Sequence, residues 1–136
     1  MKARVKWLDH MSFVGESPSG HSVVMYGSPE TGGRNLGIRP MEMVLLGLGG
    51  CTAYDVALLL QKSRQNVTLC EVDLEAERVD AVPAVFARIK IHFRVAGEEL
   101  NPASVERAVK LSAEKYCSVT RMLEKTVEID YDWEIA

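Results

Sequence analysis

From Pro40 to Arg64 the chain meets no strong helix breaker, and that stretch constrains whatever the rest can form. Arg39-Pro40 suits a helix start, because proline's missing N–H is no loss in the first turn. At 1.5 Å per residue the 25 positions make a rod of about 37 Å, as wide as a whole domain. Gly47, Gly49 and Gly50 lie inside it. Each costs about 1 kcal/mol against alanine in an exposed helix, so three together need a compensating contact. A bare backbone lets another backbone pass close by, and a second helix crossing at the glycines is the expected neighbour. The rod is apolar from Met43 to Leu60, more than the roughly 110 other residues can cover as one thin layer. A homodimer burying well over the ~2,000 Å² of an ordinary interface is therefore expected.

Around this rod the periodicity is that of strands. Lys2–Trp7, Ser12–Glu16 and His21–Tyr26 read as three short strands, the last two joined by the turn-rich Ser17-Pro18-Ser19-Gly20. Gly27 to Gly37 has no apolar period and reads as a loop or flap. After the helix, Cys70, Val72, Leu74 and Ala76 share one face while Glu71, Asp73, Glu75 and Glu77 share the other. Ile89, Ile91, Phe93 and Val95 alternate in the same way with Arg88, Lys90, His92 and Arg94. Strands over 67–78 and 85–96, folded on a turn near Asp80–Pro83, bring acids opposite bases when paired residue numbers sum to 163. That register sets Glu75 against Arg88, Asp73 against Lys90 and Glu71 against His92, and a slip of one residue would reverse every face.

Asn101-Pro102 reads as the cap and first position of a second helix, with an apolar face from Val105 to Tyr116. A short helix capped by Ser118 follows to Lys125, and Val127–Ile135 closes the chain as a strand alternating with four acids. The whole reads as one α+β domain over residues 1–136, with antiparallel strands and two long helices.

Several function classes are excluded on composition. A formal charge of −3 gives no electrostatic reason to bind nucleic acid or anionic membrane. The longest apolar run, Met43 to Leu48, is too short to cross a bilayer. The start, Met1-Lys2-Ala3-Arg4-Val5, alternates rather than forming a signal peptide's apolar block, so a cytoplasmic protein is expected. Three cysteines without CxxC, and three scattered histidines, fit neither a disulfide scaffold nor a zinc site.

Cys51 follows Gly49-Gly50 in mid-helix, where neighbours can approach. Cys117 ends one helical pattern and begins another, so its sulfur is expected to face a helix N-terminus, which favours thiolate. If the second helix crosses at the glycines, the two sulfurs meet. Thiols that meet at a helix crossing are more often catalytic or sensing than structural, although two neighbouring core residues would leave the same pattern. Cys70 sits on the apolar face of its strand and reads as core; His92 reads as a solvated cross-strand partner. The acidic rows are solvated faces, because carboxylates two apart along a strand diverge too far to cage an ion.

The segments Pro40-Met41-Glu42-Met43-Val44-Leu45-Leu46-Gly47-Leu48-Gly49-Gly50-Cys51 and Glu114-Lys115-Tyr116-Cys117-Ser118-Val119, 66 residues apart from cysteine to cysteine, resemble the two cysteine motifs of the OsmC/Ohr family. The resemblance covers nearly the whole chain and is closest to small OsmC-like proteins of poorly defined role. It implies an OsmC-like fold, with antiparallel sheets wrapped around two long central helices in an intertwined homodimer, and two active sites at the subunit interface. It implies no cofactor and no metal. Cys51 would be the thiol that attacks an organic hydroperoxide or hydrogen peroxide. Cys117 would resolve the resulting sulfenic acid as a disulfide that an external dithiol reduces.

In the hydroperoxide-reducing branch a glutamate directly follows the helix-opening proline and pairs with an arginine that polarises the reactive cysteine. Here Met41 holds that position, and Glu42, one step or about 100° further round the helix, is the acid left to fill the role. Asp9-His10-Met11 stands where the family arginine comes, and Arg4, Arg34 and Arg39 are the arginines nearby. Without an activating cation a thiol of pKa near ~8.5 is only a few per cent thiolate at neutral pH, so turnover should be slow. The competing function is redox sensing or binding of a small apolar ligand, with Met41, Met43, Met122 and the Gly27–Gly37 flap as pocket walls.

Overall fold

The computed structural model describes all 136 residues. They form two compact units, residues 1–44 and 45–136, and the boundary falls inside a continuous helix.

The first unit is an antiparallel meander of β1 (Arg4–Asp9), β2 (Ser12–Glu16) and β3 (Ser22–Tyr26), in that spatial order. The β2–β3 turn is made possible by Gly20, whose φ of 84° is a left-handed conformation that side chains resist. The following loop contains one short helical turn at Pro29–Thr31 and is tied back where Tyr26 N–H donates to the Ile38 carbonyl at 2.9 Å. From there α1 (Pro40–Lys62) begins at the expected proline.

In the second unit, α1 continues beside a sheet of β4 (Asn66–Arg78), β5 (Phe86–Glu98) and β6 (Glu128–Ile135), with β5 in the middle. Phe86, Ile89, Ile91, Phe93 and Val95 of β5 are buried, together with Leu48, Val56 and Leu60 of α1. The other face of β5 carries the bases, and both flanking strands carry acids. Arg94 donates to Glu71 at 2.8 Å on one side and to Glu134 at 2.9 Å on the other. Arg88 reaches Glu128, Lys90 reaches Asp132, and His92 is hydrogen-bonded to Asp132. A basic strand between two acidic ones sets no like charges directly opposite one another across the strands, which favours this strand order.

Two expectations are corrected here. Paired numbers in the β4–β5 hairpin sum to 165 over its central stretch, not 163: Glu71 faces Arg94, Asp73 faces His92, Glu75 faces Lys90 and Glu77 faces Arg88. This register offers four acid–base pairs where the other offers three, and the turn is wider than expected, closed by Val79 N–H to the Val85 carbonyl at 2.9 Å. A shift of two leaves both faces unchanged, so the apolar side of the hairpin is the one its alternation predicts. The closing strand β6 is parallel to β5, not antiparallel. Helices lie between the two strands in sequence, and such a crossover returns the chain to the end of the sheet from which it started.

The second helical region also differs. α2 (Pro102–Leu111) is capped as expected, Asn101 accepting from Ala103 N–H at 2.9 Å, but it is only 10 residues long. It widens into a π-type turn over Ser112–Tyr116, after which α3 (Ser118–Leu123) begins. No second helix crosses α1 at the glycines. A Cβ at Gly49 would lie 2.7 Å from Leu74 Cδ1, so that glycine admits the sheet, while a Cβ at Gly47 or Gly50 would meet nothing within 4 Å. Leu46 and Tyr54 on the same helix are 59% and 68% exposed. Over its most apolar 18-residue window α1 has a mean hydropathy of 1.8, in the range of membrane spans, yet only 28% of that window is buried by the chain itself.

Candidate thiol site

The site grows from two neighbouring stretches of helix. On α1, Cys51 and Asp55 are four residues apart and so share a face, with buried Thr52 between them. Thr52 spends its hydroxyl on its own helix, donating to the Leu48 and Gly49 carbonyls at 3.1 and 3.0 Å. The Thr52 backbone carbonyl accepts from Ser112 Oγ at 3.1 Å, and that hydroxyl also reaches Asp55 Oδ2 at 3.4 Å. Thr52 and Ser112, both fully buried, thus mark where the two helical regions touch.

The π-type turn does the rest. Its wide ring, with Cys117 N–H donating to the Ser112 carbonyl at 3.0 Å, ends the helical run and leaves Cys117 extended at φ −68°, ψ 109°. Such turns are rare in helices and concentrate at functional positions. Cys117 is fully buried, and its sulfur, the Cys51 sulfur and an Asp55 carboxylate oxygen all lie within 4.8 Å of one another.

Cys117, not Ser118, caps α3: its sulfur accepts from Thr120 N–H at 3.4 Å. The expected contact with a helix start is therefore present, but it does not decide the charge. Burial pushes the Cys117 thiol up, and the neighbouring Cys51 works the same way, against the lowering by Thr120. Cys117 rests as a thiol, not a thiolate. Asp55 is also pushed up by burial, with the Ser112 hydrogen bond opposing, and no cation pairs with it. A carboxyl and a thiol, each held toward the neutral form, lie next to the half-buried Cys51.

A thiol pair brought together by a helix and a following π-type turn, beside a β4-β5-β6 sheet, can be compared with known proteins. The family model described as OsmC-like protein matches residues 32–132, a span that includes both cysteines, all of β4 and β5 and the first five residues of β6. The chain belongs to the OsmC-like family. The Protein YhfA of Escherichia coli K12 is 50% identical over 135 residues, covering 99% of this chain and 98% of its own. A hypothetical protein from Aquifex aeolicus is 27% identical, with a TM-score of 0.87 over 99% of this chain and 95% of its own. The fold alone is shared with an organic hydroperoxide resistance protein OsmC from Legionella pneumophila, at 13% identity and a TM-score of 0.71 over 98% and 95% of the two chains.

The OsmC-like chain does not gather every residue singled out above. Cys70 faces the core of β4, 4.0 Å from the Ala53 carbonyl, and burial raises its thiol pKa as well; it lies outside the cluster. Glu42 lies in the first unit, where Arg39 Nη1 donates to it at 3.0 Å. Arg39 Nε is buried there without a partner. Met43 lines a cavity of about 290 Å³ with Val5, Val23 and Met25, but Met41 and Met122 are not among its walls, and Met122 is exposed.

Asp55 and Ser112 were not singled out in the sequence. Asp55 is the one acid inside the apolar run from Cys51 to Leu60, four residues after the cysteine, and that spacing was the available signal. Ser112 falls within the apolar face of its helix, where the sequence pattern gives it no distinguishing mark. Two sulfurs and a carboxylate are donor types that zinc accepts, but a tetrahedral zinc with bonds of about 2.3 Å needs donors about 3.8 Å apart and thiolates. Here the Cys117 thiol is pushed toward its protonated form by burial, and an Asp55 oxygen is engaged by Ser112. The arrangement fits thiol chemistry better than metal binding.

Proposed function

We propose that this OsmC-like chain is a cysteine-dependent peroxidase for organic hydroperoxides or hydrogen peroxide. The Cys51 thiolate attacks one peroxide oxygen, the O–O bond breaks, and the alcohol (or water, from hydrogen peroxide) leaves once protonated, with Cys51 oxidised to sulfenic acid. Cys117 then attacks the Cys51 sulfur, an S–S bond forms and water leaves; an external dithiol restores both thiols and becomes the disulfide. The observation that carries this reading is the pairing of Cys51 with Cys117 while Cys70 is held apart. Sulfurs within 4.8 Å need only a side-chain rotation or a small helix shift to reach the ~2.05 Å of a disulfide.

The test is hydroperoxide consumption in the presence of a dithiol. Wild type should turn over, Cys51→Ser should not, and Cys117→Ser should accumulate a Cys51 sulfenic acid that over-oxidises for want of a partner. Oxidation of Cys70 as fast as Cys51 would refute the assignment.

A second reading, redox sensing without efficient turnover, is favoured by one observation. The ionisable neighbours at Cys51 are a carboxyl and a protonated thiol, neither of which stabilises a thiolate as a cation does. In both readings the protein works as a cytoplasmic homodimer, supplied with dithiols and joined through the bare face of α1. That assembly is supported by the exposed Leu46 and Tyr54 and by the open Gly47 and Gly50.

A further inference from the structure

The disulfide step raises a problem of proton transfer. Cys117 is fully buried and rests protonated, yet it must lose its proton to attack Cys51, and the group leaving Cys51 must gain one. Bulk water is a poor acceptor for a fully buried thiol. The one carboxyl at the site is Asp55, with an oxygen within 4.8 Å of both sulfurs. Ser112 Oγ donates to Asp55 Oδ2 at 3.4 Å and is itself anchored on the Thr52 carbonyl, so the carboxyl is oriented from the very turn that delivers Cys117. No ion pair holds it elsewhere.

We infer that Asp55 is the proton relay between the two thiols, taking the proton of Cys117 as it attacks and delivering it to the group that leaves Cys51. The inference rests on the reading of Cys51 and Cys117 as a disulfide-forming pair, and it adds a third acting residue. For any mixed disulfide at Cys51 the step balances: Cys117–SH and Cys51–S–S–R give Cys51–S–S–Cys117 and RSH. The bond between the Cys117 and Cys51 sulfurs forms as the bond between the Cys51 sulfur and the sulfur of the leaving thiol breaks, and the proton passes from Cys117 to the Asp55 carboxylate and on to the departing thiolate. With a sulfenic acid the departing group is hydroxide and the product is water. A carboxyl raised by burial is better matched to a thiol than an ordinary aspartate, which suits a group that must both accept and return a proton.

The test does not need a peroxide. In a Cys70→Ser background, Cys51 is loaded with a small disulfide, and the second equivalent of thiol, released on ring closure by Cys117, is followed by stopped flow. Hydroxyethyl disulfide provides a leaving thiolate that needs a proton; an aromatic disulfide provides one that does not. Asp55→Asn keeps the shape and an oxygen for Ser112 but cannot relay. It should slow ring closure on the order of 10²-fold with the alkyl thiol, the lower range for one general acid–base group, and less with the aromatic one. A bystander would act in the opposite direction, since removing a negative charge favours the Cys117 thiolate and speeds closure. Closure in Asp55→Asn at or above the wild-type rate overturns the relay. So does wild-type closure that is the same in D₂O as in H₂O and indifferent to the leaving thiol, a measurement that holds even if the variant does not fold. A protein that closes in an Asp55-dependent way but consumes no hydroperoxide keeps the relay and loses the peroxidase. One that consumes hydroperoxide with Asp55-independent closure does the reverse.

Discussion

Gly47 and Gly50 allow a test of assembly whose sign differs between the alternatives. Both lie on an exposed face of α1, and a Cβ added at either meets nothing within 4 Å in the single chain. If the chain acted alone, Gly47→Ala/Gly50→Ala would gain about 1 kcal/mol per site from helix propensity, about 2 kcal/mol together. With an unfolding entropy of ~2.1 cal/mol/K per residue, a 136-residue protein would then melt roughly 7 °C higher. If a second copy lies against this face, the added methyl groups fall between two packed backbones, and overpacking costs about 1–3 kcal/mol per site. The expected outcome is the second: sedimentation velocity shows wild type as a dimer and the double variant shifted toward monomer, with a lower and concentration-dependent melting temperature. An intact dimer melting about 7 °C higher would refute the glycine face as the interface. Gly49→Ala is the internal control, because its new methyl meets Leu74 Cδ1 at 2.7 Å within the same chain. Leu74 can give way at its far end, so that variant should change stability little and leave the dimer intact.

The sheet provides two further predictions. Asp132 holds His92 above its usual pKa near 6.5, and His92 and Lys90 hold Asp132 below 3.8, so the charged pair contributes most between those values. Its stabilisation should fade as pH rises through the raised His92 value and as pH falls through the lowered Asp132 value. Urea melts from about pH 5.5 to about 8.5 should show wild type losing more stability than His92→Gln; equal slopes would place the effect elsewhere. Phe93 is fully buried at the centre of β5, edge-on to Tyr131 with ring centroids 6.5 Å apart, so Phe93→Ala should cost about 3–5 kcal/mol in urea denaturation. Arg94→Gln on the opposite face breaks contacts to Glu71 and Glu134 that are largely exposed, and a cost above ~1 kcal/mol there would be unexpected.

The alternation of Val72, Leu74, Ile89, Ile91 and Phe93 was enough to assign strands and faces, because a period of two admits only one inward set. The pairing register was not legible to better than a multiple of two. Glu75 meets a base in either register, and only the width of the 79–85 turn and the bulge after Glu77 decide. The parallel direction of β6 was equally hidden, since a strand's own pattern does not state which way its neighbour runs. Pro40 and Asn101-Pro102 announced their helices through local backbone chemistry, which sequence records directly. The π-type turn at Ser112–Tyr116 depends on how its residues pack against α1, and no local signal announces it.

The same distinction explains why both thiols are legible in the sequence and the carboxyl beside them is not. A cysteine is rare enough to be noticed in one dimension, but Asp55 becomes distinctive only when Ser112, 57 residues away, turns it toward the sulfurs. What the three groups share is a partly dry environment. Burial that keeps the Cys117 thiol neutral also keeps the Asp55 carboxyl closer to neutral, and it does so without any cation pairing with Asp55. A guanidinium would promote attack on peroxide by stabilising the Cys51 thiolate; a nearby carboxyl instead favours proton transfer to and from sulfur. A site built this way should be comparatively slow with peroxide and comparatively fast in closing and reopening its disulfide. Comparing the two rates in the same Cys70→Ser protein measures that bias directly, and a peroxide step faster than ring closure would contradict it.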